Sequence, residues 1–244
     1  MYIDAHNHLD FYGVNLEKAI EEINSYKIIT LANSMDVESY KINKVYAKKS
    51  SYIIPTFGIH PSRAGNFNGD LLSLIPYIDE SKIIGEIGLD FLWVEDRSLD
   101  DKQREVFYFI LNEAIKRNKY VSLHTKNAEQ EICNYLEKKN YNKVIIHWYS
   151  GPLDILDKLI KLGCYFTISV DLGYSSITEE ILKKIPMNKL LVETDGPTAL
   201  EWVNGKYGYP SEIKNVISNI SKTKGIDEER LIEIIYNNFL EILN

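Results

Sequence analysis

The sequence predicts an α/β fold, a single-domain (β/α)8 TIM barrel that spans residues 1–244. Eight short apolar runs, typical of buried parallel strands, alternate with stretches of helical periodicity. The 244-residue chain has the size of such a barrel, and no Gly/Ser/Pro-rich linker divides it. A doubly wound open sheet is the alternative, but neither G-x-G-x-x-G after the first strand nor a G-x-x-x-x-G-K-S/T loop is present.

The predicted elements follow one another as repeated strand and helix units. The strands are expected at 2–5, 27–32, 52–57, 82–86, 120–124, 143–147, 164–168 and 189–193. The helices are expected at 15–26, 37–49, 70–80, 99–118, 127–140, 152–163, 178–186, 211–222 and 227–243. Asn15 and Asp227 are residue types that cap helix N-termini, and Gly163 stands where a helix C-terminal glycine belongs.

The composition argues against several classes of protein. No apolar run is long enough to span a bilayer, and the first residues lack the basic start and apolar stretch of a signal peptide, so a cytoplasmic location is expected. Cys133 and Cys164 lie outside any metal-type spacing and are expected in the core. The net charge of −7 argues against a broad basic surface for nucleic acid, although it is compatible with a local positive pocket.

All five histidines follow predicted strands. His6 and His8 occupy alternate positions after the first strand, so their side chains face the same side. His60 follows strand three, and His124 and His147 end strands five and six. Active-site groups of such barrels lie at the carboxyl ends of the strands, so these imidazoles are expected to converge. For His60, a plain loop position beside a proline is an equal alternative.

Three carboxylates occupy similar positions. Glu86 ends strand four between Gly85 and Ile87, where an unpaired buried carboxylate would cost several kcal/mol unless a metal or another cation accompanied it. Asp195 follows strand eight in a Thr-Asp-Gly-Pro turn, as a turn former or as a ligand and base. Asp90 either begins a loop or supports a metal ligand. Histidines and carboxylates at one rim predict a divalent-metal centre.

Six motifs together carry a resemblance to a known family. They are D-A-H-N-H-L-D, G-I-H-P, G-E-I-G-L-D, L-H-T-K, H-W-Y-S-G and E-T-D-G-P. In this order they resemble the TatD family of metal-dependent deoxyribonucleases, from Tyr2 to Leu240. The resemblance implies two divalent metal ions, with Glu86 as the bridging carboxylate, where other amidohydrolase branches use a carboxylated lysine. The metal-binding residues that it implies are His6, His8, Glu86, His124, His147 and Asp195.

The chain also departs from the family pattern. Lys126 stands where H-S-R has arginine, which keeps the positive charge but loses the bidentate fork. Trp148 and Tyr149 replace the common Cys-Phe, and Gly196 stands where alanine is usual. Together with L-G-C-Y-F-T, these features are similar to the TatD-like component of Qat anti-phage defence systems, which implies other defence-system proteins as partners.

The expected centre suits hydrolysis of a phosphodiester. Two divalent ions about 3.5–4 Å apart can generate hydroxide near neutral pH and stabilise a leaving oxygen. Zinc, manganese or magnesium would serve, and a histidine-rich set favours the first two. Asp195 and Glu86 are the expected catalytic residues, with Asp195 accepting the proton of the attacking water. The expected substrate-binding residues are His60, Arg63, Lys126, Trp148 and Asp90. Trp148 would stack on a base, whereas Tyr149 is expected to pack.

We therefore expect a metal-dependent enzyme that trims single-stranded DNA from its 3′ end. An acidic protein with one cationic pocket fits end-processing better than binding along a duplex. A hydrolase of the same fold that acts on a small phosphoester, ester or amide is one alternative. A non-enzymatic partner in a defence complex, stabilised by its metals, is another, but a structural metal site needs no open coordination.

Overall fold

The computed structural model describes residues 1–244 and contains eight strands and eleven α-helices. The strands are β1 Tyr2–Asn7, β2 Ile28–Asn33, β3 Ile53–Thr56, β4 Ile84–Asp90, β5 Val121–Lys126, β6 Val144–Ile146, β7 Tyr165–Ile168 and β8 Leu190–Val192. The helices are α1 Leu16–Tyr26, α2 Val37–Tyr46, α3 Pro61–Ala64, α4 Ile75–Glu80, α5 Asp100–Lys116, α6 Glu129–Lys139, α7 Leu153–Leu162, α8 Ser176–Lys184, α9 Thr198–Asn204, α10 Ile213–Lys224 and α11 Glu228–Leu243. All eight strands lie within two or three residues of the predicted ranges, apart from the longer end of β4.

The strands form a parallel barrel with two seams. Strands β1 to β3 pair in sequence order, and so do β4 to β8. At the first seam, the Gly85 amide donates to the Phe57 carbonyl at 2.8 Å. At the second, the Asp195 amide donates to the His6 carbonyl at 2.9 Å. The fold is therefore the predicted TIM barrel.

The strands are buried on both faces, as their continuous apolar runs predicted. Every residue of β4 and β5 is buried between the barrel interior and the surrounding helices. Cys133 and Cys164 are buried free thiols, which confirms their expected place in the core. Tyr149 is also buried, and its hydroxyl donates to the Pro152 carbonyl at 2.6 Å, as expected of a packing residue.

All three predicted helix end signals stand at the ends of helices. The Asp227 carboxylate accepts a hydrogen bond from the Arg230 amide at the start of α11. Gly163 ends α7 with a φ of 99°, in the left-handed region. Asn15 directly precedes α1, as predicted, but its side chain makes no capping hydrogen bond. Its backbone (φ −90°, ψ 0°) lacks the extended conformation usual at a helix N-cap.

Two helices were not predicted from the sequence. Helix α3 has four residues and follows β3, and α9 has seven residues and follows β8. Both are too short for helical periodicity to be visible. They lie beside the carboxyl ends of the strands, where the candidate site is. None of the helices combines the length and apolar character that crossing a membrane requires.

Candidate metal centre

Five histidines surround one carboxylate at the carboxyl end of the barrel. Glu86 Oε1 lies 2.8 Å from Nδ1 of His124, 3.6 Å from Nε2 of His60 and 3.7 Å from Nε2 of His147. Its other oxygen, Oε2, lies 3.3 Å from Nε2 of His6 and 3.4 Å from Nε2 of His8. The structure therefore brings together the side chains that the strand ends predicted.

Asp195 lies on one side of this group. Its Oδ1 is 3.5 Å from Nε2 of His8 and 3.9 Å from Nε2 of His6. Three sets of possible ligand atoms lie within 4.8 Å of one another. They are His6, His8 and Asp195; His6, Glu86 and His147; and His60, Glu86 and His124. Glu86 belongs to two of the three sets, which is the arrangement that a carboxylate shared by two ions requires.

The donor set fits divalent ions. Glu86 is 1% exposed, and its Oε2 has no hydrogen-bond partner, so the buried oxygen lacks the compensation that such atoms need. Burial opposes ionisation of Glu86, but electrostatic interactions with the imidazoles of His60 and His6 and the hydrogen bond with His124 hold the pKa of its carboxyl well below the usual value. Imidazole nitrogens and carboxylate oxygens are ligands that zinc and manganese accept.

The electrostatics also favour a bound cation. Burial lowers the pKa of His60 to about 3 and that of His147 to about 4, which keeps both imidazoles in the neutral, metal-binding form. Burial also lowers the pKa of His8, but the carboxylates of Glu86 and Asp195 outweigh burial and raise it to about 9. The two carboxylates thus attract positive charge at this position.

Two of the histidines are oriented by carboxylates behind them. Nε2 of His124 lies 3.0 Å from Oδ2 of Asp90, and Nδ1 of His147 lies 2.9 Å from Oε2 of Glu193. Such contacts fix the ring and select which nitrogen faces the metal position. Burial raises the pKa of Glu193 to about 8. Glu193 was missed in the sequence, although a carboxylate at the end of a buried strand was the signal used for Glu86.

Neutral groups orient the other three histidines. Nδ1 of His6 lies 3.3 Å from the Ser122 hydroxyl, and Nδ1 of His8 lies 3.2 Å from the Asn33 carbonyl. Nδ1 of His60 accepts a hydrogen bond from the Ser62 amide at 3.1 Å. Each of the five rings is therefore held by one nitrogen and presents its other nitrogen toward Glu86.

Glycines permit the close approach of the backbones that carry the site. A Cβ atom at Gly88 would lie 2.0 Å from the carbonyl oxygen of His124, so β4 and β5 could not approach with any other residue there. A Cβ atom at Gly196 would lie 2.4 Å from the hydroxyl of buried Tyr12, which explains glycine where alanine is usual in the family.

The centre forms the floor of a cavity of about 160 Å³. The other lining residues are Phe11, Met35, Trp93, Lys126, Trp148, Thr198 and Trp202. Lys126 is the only lysine or arginine among them, and it is 4% exposed. Its Nζ donates to the Trp148 carbonyl and the Ser150 hydroxyl, both at 2.8 Å. Because an ammonium group has three donors, one remains for a ligand.

Two expected substrate-binding residues lie elsewhere. The Arg63 side chain is 60% exposed, lies 4.0 Å from Asp36 and lines a separate surface groove. Asp90 is 1% exposed and does not line the cavity, so the expectation that it binds substrate is wrong. Its carboxylate contacts His124 instead, which is a positioning role. His60 does line the cavity, beside Glu86.

Three aromatic residues of the cavity were missed in the sequence. Phe11 and Trp93 lie on the connections that follow strands β1 and β4, and Trp202 lies on the short helix α9, which follows β8. Their proximity to strand ends was the available signal, but loop conformation decides whether such side chains turn toward the site.

Comparisons with known proteins match this chain along its whole length. A family model described as TatD related DNase matches residues 3–244. The metal-dependent hydrolase BU355 of Buchnera aphidicola is 28% identical over 264 residues, covering 99% of this chain and 98% of its own length. The deoxyribonuclease TATDN3 of Homo sapiens is 25% identical, covering 98% of this chain and 93% of its own.

Solved structures agree on the fold. The TatD homologue YJJV of Escherichia coli K12 superposes with a TM-score of 0.88 at 20% identity, over 99% of this chain and 97% of that one. A TatD family hydrolase of Entamoeba histolytica gives 0.82 at 18% identity, with the same coverage of both chains. Since the family model covers nearly every residue, the chain belongs to the family of TatD-related DNases.

Proposed function

We propose that this protein is a metal-dependent phosphodiesterase that removes nucleotides one at a time from single-stranded 3′ ends of DNA. The observation that carries the proposal is the buried Glu86 carboxylate, shared by two groups of possible metal ligands on the floor of a cavity that one lysine lines. Membership of the TatD family and a relative named as a deoxyribonuclease support DNA as the substrate.

Two divalent ions fit the ligand groups of the floor. His6, His8 and Asp195, which form one of the three groups, would hold one ion. Glu86, His124 and His147, which are divided between the other two groups, would hold the second, with zinc or manganese preferred over magnesium. Bound ions would supply Lewis acidity and make a water molecule nucleophilic near neutral pH.

The protein side chains supply orientation and proton transfer. Oδ1 of Asp195 faces His6 and His8, which leaves Oδ2 to accept the proton of the attacking water. The free donor of Lys126 would hold a phosphate oxygen, and His60 lies close enough to assist. The Trp148 ring, which lines the same cavity, would stack on a base.

The motif resemblance extends the proposal to anti-phage defence in the cytoplasm. Other proteins of a defence system would then be partners, and both buried cysteines would remain reduced. Hydrolysis of a small phosphoester, ester or amide by the same floor is the competing function.

Metal analysis combined with cleavage of end-labelled single-stranded DNA tests the proposal. We expect close to two ions per chain and stepwise shortening from the 3′ end with manganese or zinc. Glu86→Ala should abolish shortening, whereas Glu38→Ala removes a carboxylate that is 76% exposed on α2 and should leave shortening unchanged. The isosteric Glu86→Gln, checked by circular dichroism, separates loss of chemistry from loss of fold.

The protein could bind metal ions and hydrolyse a small ester or amide but cleave no nucleic acid. That result would contradict the nuclease proposal and support the competing function. Protein that binds no ion and shows no metal-dependent activity would contradict both functions.

A further inference from the structure

Three tryptophans lie together at the mouth of the cavity. They are the only tryptophans of the chain, and all of them line the cavity. The ring centroids of Trp93 and Trp202 are 6.2 Å apart, and those of Trp148 and Trp202 are 6.5 Å apart with only 19° between the ring planes. We call Trp93, Trp148 and Trp202 the tryptophan collar. Each residue comes from a different connection, after β4, β6 and β8.

Two residues of the collar expose much of their apolar surface. Trp93 is 54% exposed and Trp202 is 66% exposed, whereas most other large apolar side chains of the protein are buried or half-buried. Because these two indole rings are more than half exposed, they contribute to folding only part of the free energy that full burial would provide. Exposed apolar surface gathered at the edge of a cavity marks a binding site rather than a packing site.

Trp148 is held in an unusual backbone conformation. Its φ of 35° lies in the left-handed region, which is unfavourable for a residue other than glycine. Hydrogen bonds fix it on both sides: its amide donates to Thr167 Oγ1 at 2.9 Å, and its carbonyl accepts from Lys126 Nζ at 2.8 Å. The surrounding structure therefore imposes the direction of this ring, as it does at many ligand sites.

The collar is connected to the metal centre through shared residues. Oδ1 of Asp90 accepts hydrogen bonds from the amides of Leu92 and Trp93 at 2.9 and 2.8 Å, while Oδ2 faces His124. The Lys126 ammonium lies 5.3 Å from the Trp93 ring centroid and 5.7 Å from that of Trp148. A ligand that touches the rings therefore reaches Lys126, the only lysine or arginine that lines the cavity, and the floor beneath it.

We propose that the tryptophan collar binds the base of an unpaired terminal nucleotide and so selects single-stranded ends. The inference rests on the proposed nuclease function and adds the part of the substrate that is recognised. An unpaired base offers a free aromatic face for stacking on the collar, while its phosphate reaches the free donor of Lys126. A base inside a duplex has both faces covered by its neighbours and must be unstacked first.

Tryptophan fluorescence, excited at a wavelength that the 17 tyrosines do not absorb, reports on the collar alone, since the protein has no other tryptophan. Wild-type protein with its metal is titrated with a short single strand whose 3′ linkages are phosphorothioates, with the same strand carrying abasic 3′ positions, and with a blunt duplex. We expect quenching by the first strand and little quenching by the other two.

Substitutions test the same site by affinity and by KM. Trp202→Ala should weaken binding of the normal strand by about 5- to 100-fold, leave kcat unchanged and leave binding of the abasic strand unchanged. Trp202→Phe keeps an aromatic face and should recover most of the affinity. Leu72→Ala is the matched control, because Leu72 is also 66% exposed but does not line the cavity.

The outcomes separate this inference from the nuclease function. Normal cleavage with equal affinity for the normal and abasic strands would overturn the collar alone. Base-dependent quenching without cleavage of any nucleic acid would overturn the nuclease function and retain a base-binding collar. Absence of base-dependent quenching and of cleavage would overturn the base-binding collar and the nuclease function together. A changed oligomeric state of Trp202→Ala with unchanged DNA affinity would assign the collar to a protein contact and overturn the proposal.

Discussion

The floor and the mouth of the cavity are built in opposite ways. On the floor, Glu86, His124 and His147 are each no more than 3% exposed, and both imidazoles are oriented by a carboxylate behind them. At the mouth, Trp93 and Trp202 are more than half exposed, and ring contacts are their main restraint. The floor residues lie on strands or directly after them, whereas the mouth residues lie farther along the segments that follow the strands, Trp202 on the short helix α9.

This difference indicates a division of labour. A buried, hydrogen-bonded floor keeps reacting groups in one arrangement, which lowers the barrier to reaction. An exposed aromatic mouth contributes affinity and tolerates different bases, because every base has a face that can stack. Substitutions on the floor should therefore change turnover or metal affinity, and substitutions at the mouth should change substrate affinity.

The largest effect is expected at Asp195. Asp195→Asn keeps the size of the side chain but removes the negative charge and the proton acceptor, so kcat should fall by about 10³- to 10⁴-fold or more. Thermal unfolding should change little, since the substitution is isosteric. Single-turnover cleavage of labelled DNA measures the effect. A kcat within tenfold of wild type would show that another group accepts the proton.

An intermediate effect is expected behind the histidines. Asp90→Asn and Glu193→Gln should each weaken metal affinity by about 10- to 100-fold, because His124 and His147 lose the carboxylates that orient them. Competition with a coloured chelator measures the metal Kd. Ser122→Ala, beside His6, removes only a neutral partner and should have a smaller effect. Equal effects of all three substitutions would show that general packing, not ring orientation, sets the affinity.

The barrel and most of the floor could be predicted because both follow from strand positions. Buried parallel strands appear in sequence as continuous apolar runs, and the topology then brings their carboxyl ends together. His124 and His147 could therefore be placed on one rim although 23 residues separate them. Helices α3 and α9 could not be predicted, since their few residues carry no periodic signal.

Contacts between individual side chains could not be predicted from the sequence. The bond between His147 and Glu193 joins residues that are 46 positions apart and depends on the rotamers of both. The sequence could not predict which way the Asp90 side chain points either, because a carboxylate at a strand end can face the cavity or lie behind a neighbouring strand. Trp93 and Trp202 lie on connections whose conformation no motif specified.

The smallest effect is expected at Lys126, which lies where the floor and the mouth meet. Its substitution should change how strongly DNA binding depends on salt concentration. Lys126 is the only lysine or arginine that lines the cavity, so a bound end should have about one phosphate neutralised by the protein. For single strands this gives a slope of about −0.7 in a plot of log affinity against log salt concentration. Lys126→Met should bring the slope close to zero, and Lys126→Arg should preserve it.

Arg104 provides the control for that slope. It lines the neighbouring groove, but its guanidinium is paired with Glu131 at 2.9 Å, so Arg104→Ala should leave the slope unchanged. A wild-type slope steeper than about −2 would require several phosphate contacts outside the cavity. The substrate would then lie along the protein surface, and the division between a chemical floor and a base-binding mouth would not be sufficient to describe recognition.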